Sequence, residues 1–179
     1  GSRPCSGCGP RGRCSQPRSA RRSGLVPIPA HLCDVVAPPE GVAELRDITP
    51  YQDIHAAAAN NALAARSHYT VENPYEREDT PDSRPTFGLD DGETDGIVLA
   101  NALDVDGFLT DEFGGTNFPL IHAVLQGPRI VPTPRLIVDY ARNGHLSPEE
   151  ARTLITTISL HRSWENSPYV TQLLRRLEE

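Results

Sequence analysis

The stretch LDDGETDGIVLANALDVDGFLTDEFGGTN, from Leu89 to Asn117, holds the residues best suited to chemistry in this chain. Gly92-Glu93 opens an apolar-periodic run with Ile97, Leu99, Ala100 and Leu103 on one stripe, the pattern of a helix packed on a core. Asp104 to Gly107 breaks that period. Phe108-Leu109-Thr110 is then short and apolar enough for a buried strand, which stops at Asp111-Glu112. A helix of roughly 12 residues descends about 18 Å, and a strand of about 5 residues climbs back about 16 Å. If the helix packs on the sheet that the strand joins, Glu93 and Asp111 return to the same edge. Carboxylates that arrive at one edge from separate elements are the donors a hard divalent cation takes. The plainer reading is that Glu93 favours a helix N-terminus and Asp111 solvates a loop. The pattern alone leaves the two level. Asp95 is a reserve ligand, but on an ideal helix it points about 200° away from Glu93, so the two do not reach one ion.

The elements that must position these acids alternate between short apolar strands and helices. Cys33 to Ala37 reads as a strand stopped by Pro38-Pro39, and Glu40 to Asp47 as a short helix with Val42 and Leu45 inward. Tyr51 to Ser67 is an Ala-rich helix and Tyr69 to Glu72 a short strand. Asn73 to Asp91 is polar and punctuated by proline. A flexible insertion is the ordinary reading of such a loop, and a substrate-contacting flap the functional one. Past Asp111, Asn117 suits the N-cap of a helix running to Gln126 and ended by Gly127. Arg129 to Val131 is a strand between two prolines, and Thr133-Pro134 opens a helix that ends near Asn143-Gly144. Ser147-Pro148-Glu149-Glu150 is a capping box, and a last helix spans about Pro168 to Leu177. Trp164, between those two helices, reads as a packing anchor. The alternation predicts an α/β sandwich with a mainly parallel sheet.

Charge divides the chain unevenly. All 17 basic residues are Arg, and 6 of them fall in residues 1–33, which hold no Asp or Glu. The remainder carries 11 Arg against 24 acids, a formal −13. A Lys-free acidic domain points to a high-salt organism with GC-rich coding, and it argues against broad attraction to nucleic acid unless concentrated salt screens the charge. Cys5, Cys8, Cys14 and Cys33 include a C-x-x-C spacing, but residues 1–24 offer almost no apolar side chain to build a ribbon around zinc. Residues 1–32 therefore read as disordered or non-native, of the kind GC-rich DNA gives when translated out of frame, with a basic nucleic-acid-binding arm as the alternative. No run approaches a membrane span and no signal-peptide core is present, which predicts a cytoplasmic protein. Neither a Ser-His-Asp or Cys-His pair nor a Gly-rich phosphate loop is found.

The runs DDGETDGIVLAN and FLTDEF, together with PPEGVAELRDI at Pro38 to Ile48, resemble the PIN domain. The likeness is to its archaeal branch, with a GE-x-[DE]-x-I helix and a strand ending in consecutive acids. It covers about residues 33–179, read as one PIN-like domain. The resemblance implies a three-layer α/β/α sandwich whose acids cluster at the carboxyl edge of a parallel sheet. It also implies a metal-dependent endoribonuclease using Mg²⁺ or Mn²⁺ on an RNA substrate. By family analogy alone it adds a toxin-like role, with a small antitoxin protein or a second copy of the chain as partner. Glu44 matches the family's helix glutamate, although pattern alone makes it an ordinary exposed Glu. The implied metal ligands are Glu44, Glu93 and either Asp111 or Glu112, with Asn117 in support; plain capping explains Asn117 equally well. One departure bears on activity. A PIN domain opens with a strand ending in Asp before the segment that corresponds to Val35-Val36-Ala37-Pro38-Pro39, and residues 1–33 contain no acid. The alternative is thus a catalytically inactive PIN-like RNA-binding or scaffold protein.

Overall fold

The computed structural model describes residues 13–15, 34–51, 54–113 and 115–179. Among the described residues, strands β1 (Arg13–Ser15), β2 (Asp34–Ala37), β3 (Thr70–Val71), β4 (Gly107–Leu109) and β5 (Arg129–Val131) accompany seven α-helices. The helices are α1 (Pro39–Ile48), α2 (Ile54–Ala64), α3 (Asp91–Leu103), α4 (Phe118–Val124), α5 (Thr133–Arg142), α6 (Pro148–Arg162) and α7 (Pro168–Arg175). The fold is mixed α/β with short parallel strands.

The strand order is β3-β2-β1-β4-β5. β1 pairs with β2 through Cys14↔Val35 and with β4 through Ser15↔Phe108. The expectation of disorder across residues 1–32 therefore fails for Arg13–Ser15, while the rest of that segment, with Cys5 and Cys8, lies outside the described residues. No apolar pattern marks β1; its place is set by backbone pairing on both sides. Outward from β1 the connections run one way through β2 and β3 and the other way through β4 and β5. The boundary between β1 and β4 is therefore a topological switch point, where α/β sheets open a crevice at the carboxyl ends of their strands.

Successive strand residues face opposite sides, and β4 divides accordingly. Leu109 packs with Val35, Val42, Leu45, Leu136 and Tyr140 from β2, α1 and α5. Phe108 packs with Ile97, Ala100 and Ile121 from α3 and α4. A further cluster joins Ile137, Ile155, Ile158, Val170 and Leu173 and seats α6 and α7 on α5. Phe113 lies at 5.0 Å from the Trp164 ring and 4.9 Å from the Tyr169 ring, so Trp164 packs as expected and ties the loop after β4 to the last two helices. The Ser147–Glu150 capping box forms with both of its reciprocal hydrogen bonds. No helix among the described residues is long and apolar enough to cross a membrane.

Candidate functional site

Asp90 starts the site by capping α3. Its carboxylate accepts the Glu93 N–H at 2.9 Å, so the helix begins at Asp91 and Glu93 sits in its first turn. The single apolar stripe predicted for this helix understates its burial. Every residue from Gly92 to Ala100 is buried, Glu93 to 2 % exposure and Asp95 to 3 %. One side meets the core around Phe108. The other is covered by α1 and by residues 73–90, the segment expected to be a loose loop. Glu93 is thus no solvated helix-end carboxylate.

Glu44, on α1, reaches the same place. A Cβ built on Gly92 would stand 2.7 and 2.8 Å from its two carboxylate oxygens. Glycine at 92 is what lets the Glu44 side chain lie flat against the first turn of α3, next to Glu93. The structure therefore brings Glu44 and Glu93 into one neighbourhood.

Asp111 follows β4 and is 5 % exposed, so it does not solvate a loop. One carboxylate oxygen accepts the Thr133 N–H at 2.8 Å. Pro132, at the N-cap of α5, makes no side-chain cap hydrogen bond, and Asp111 takes over that role from a distance. Its other oxygen, Oδ2, is buried without a hydrogen-bond partner. Burial pushes the Asp111 carboxyl above the usual carboxylate range, against the opposing pull of the Thr133 N–H and the Arg162 guanidinium. Thr133 and Arg162 carry no motif signal, because they meet Asp111 only through tertiary packing.

The neighbouring candidates separate cleanly. Glu112 is half-buried, its N–H donates to Thr110 Oγ1 at 3.2 Å, and its carboxylate lies along its own loop, 3.2 Å from where a Cβ on Gly115 would stand. Asn117 occupies the N-cap position of α4, but its side chain makes no cap hydrogen bond. Asp95 turns away from the acidic edge. It receives the Arg84 guanidinium through Nε at 2.8 Å and Nη2 at 2.9 Å, and it accepts the Tyr75 hydroxyl. Burial and the Asp95 carboxylate together push the Tyr75 phenol above its ordinary value. Sequence reading missed Tyr75 and Arg84 because they stand in a polar loop with no periodicity.

Among the described residues, no group of three or more His, Cys, Asp or Glu stands ready to hold a metal ion. Of the candidate acids, Glu44 lies against Gly92, the residue before Glu93, Glu93 itself is buried, and Asp111 is a deeply buried carboxylate. All are hard oxygen donors of the class Mg²⁺ and Mn²⁺ take. No protein-family model matches the chain, and no curated protein matches it.

Proposed function

We propose that this chain is a PIN-type, metal-dependent endoribonuclease built as an α/β/α sandwich, with Glu44, Glu93 and Asp111 as its acidic centre. The observation that carries the reading is Asp111. A carboxylate at the end of a central parallel strand, beside the topological switch, keeps one buried oxygen without a partner. Such an atom costs free energy, and in a native protein it calls for an explanation such as an ion. The donor chemistry fits Mg²⁺ or Mn²⁺. Asp111 would contribute Oδ2, Glu93 and Glu44 their carboxylates, and Glu112 and Asn117 are reserves on the loop that follows. A divalent ion bound there supplies an activated water and stabilises charge on the scissile phosphate.

The chain's own residues do the rest. The α5 N-terminus fixes the orientation of Asp111 through the Thr133 N–H, leaving Oδ2 as the free corner. Gly92 gives Glu44 room beside Glu93, and the burial of Glu93 raises the electrostatic worth of any charge that meets it. The test is cleavage of single-stranded RNA with added Mn²⁺. Cleavage should vanish with a chelator and in Glu93→Gln and Asp111→Asn. A rate untouched by either substitution sinks the proposal.

A second reading, a PIN-like protein that binds RNA without cutting it, is favoured by β1. That strand fills the centre of the sheet, yet the sequence from Arg13 to Cys33 holds no Asp or Glu to place at its carboxyl end. Replacing residues 1–33 with a PIN-type opening strand and its aspartate decides between the two. Cleavage that rises only in that chimera identifies the present chain as the inactive form.

A further inference from the structure

Arg84 is bound to three acids on two helices. Its guanidinium forks onto both Asp95 oxygens at 2.8 and 2.9 Å, meets Asp91 Oδ2 at 3.1 Å and reaches Glu40 Oε2 at 3.5 Å. Asp91 and Asp95 are four apart on α3, and Glu40 and Glu44 four apart on α1, so each pair shares a helix face. The two acidic faces meet, because the Glu44 carboxylate lies against Gly92, the residue after Asp91. Helices packed acid to acid repel unless a cation sits in the seam. Arg84 supplies that cation from residues 73–90, and the same segment sends the Tyr75 hydroxyl to Asp95.

We infer that Arg84 is a positioning residue for the acidic centre: it clamps α1 and residues 73–90 onto the first turns of α3 and so holds Glu44 beside Glu93. This role rests on the metal-site reading above. The clamp depends on geometry as well as charge. Asp95 is 4 % exposed in its side chain, and only a planar fork satisfies both of its oxygens at once. Lysine offers a point charge and keeps part of the neutralisation without the bidentate grip.

The test uses the full chain and the variants Arg84→Gln, Arg84→Lys, Asp95→Asn and the Gln/Asn double variant, each with two readouts. The first is amide hydrogen exchange without divalent metal. Arg84→Gln should speed exchange across residues 39–48 and 73–90 by roughly tenfold or more while leaving β4, β5 and α5 at wild-type rates. The second is the Mn²⁺ midpoint followed by thermal shift, which should rise on the order of tenfold in Arg84→Gln and by less in Arg84→Lys, the range seen when a ligand's supporting contacts are lost. The double variant should be no worse than the worse single, since the two residues act as a unit. Exchange in 39–48 and 73–90 that stays at the wild-type rate overturns the clamp. A wild-type Mn²⁺ response that Arg84→Gln leaves intact overturns the positioning role alone. A wild-type chain with no Mn²⁺ response overturns the functional reading, and the positioning role with it. If Arg84→Gln does not fold, Arg84→Lys and Asp95→Asn carry both readouts.

Discussion

Replacing Gly92 with Ala should clear Glu44 from the acidic centre at little cost to the fold. Gly92 lies in the first turn of α3 with ordinary helical backbone, so alanine meets no conformational barrier there. The added methyl would stand 2.7, 2.8 and 2.9 Å from Glu44 Oε2, Oε1 and Cδ. Comfortable contact begins near 3.5 Å, so the carboxylate must retreat by about an ångström. Overpacking a rigid neighbour costs about 1–3 kcal/mol. Here the atoms that yield are the tip of a flexible side chain, and alanine regains up to about 1 kcal/mol of helix propensity. The net loss should fall between about 0 and 2 kcal/mol. Metal binding is the sensitive quantity. At a free Mn²⁺ concentration a hundred times Kd, the wild type gains about 2.7 kcal/mol. A carboxylate that no longer reaches the ion and weakens binding tenfold removes about 1.4 kcal/mol of that gain. The assay is urea denaturation followed by circular dichroism, with and without Mn²⁺. An Ala variant that keeps the full Mn²⁺ gain refutes the idea that Glu44 serves the site through the space at Gly92. A metal-free loss well above 3 kcal/mol refutes the picture of a yielding side chain.

Two further outcomes follow from the same geometry. Because burial raises the Asp111 carboxyl pKa in the folded chain, the native state binds more protons than the unfolded one just above the ordinary carboxylate pKa, and stability falls as pH rises through that window. Asp111→Asn should therefore be more stable than the wild type at pH 7 and lose that advantage toward pH 3; an advantage that does not change between those pH values in urea midpoints contradicts the assignment. Deleting residues 1–16 removes the strand between β2 and β4 and should cost a large part of a typical domain's ~5–15 kcal/mol, so a thermal melt unchanged by the deletion would count against a central β1.

Local punctuation made much of the fold legible. Pro38-Pro39, Pro132 and Pro134 bracket elements whose ends fall within a residue or two of where the sequence puts them, and Ser147 and Glu150 form the capping box their spacing announces. Gly127 was a poorer guide. α4 stops at Val124 because Asn101 gives its amide to the Val124 carbonyl and takes the Gln126 N–H, a side-chain alternative to another helical turn. What stayed hidden was non-local. β1 is a strand by virtue of partners at Val35 and Phe108, and the outer face of α3 is buried because α1 and residues 73–90 lie on it. Glu93 and Asp111 were readable as acids at element ends. That Asp111 would cap α5, and that Asp95 would be claimed by Arg84, depends on which elements pack together, which no single stretch encodes.

The place of β1 also governs how the chain can fold. β1 with β2 and β4 with β5 each pair residues close in sequence, as in Cys14 with Val35 and Gly107 with Arg129, but Cys14 must meet Gly107 before the sheet closes. Until then the open edges of β1 and β4 present unpaired backbone groups. The loop-closure cost of joining them grows only slowly with chain length, so the step is slow more than it is unfavourable.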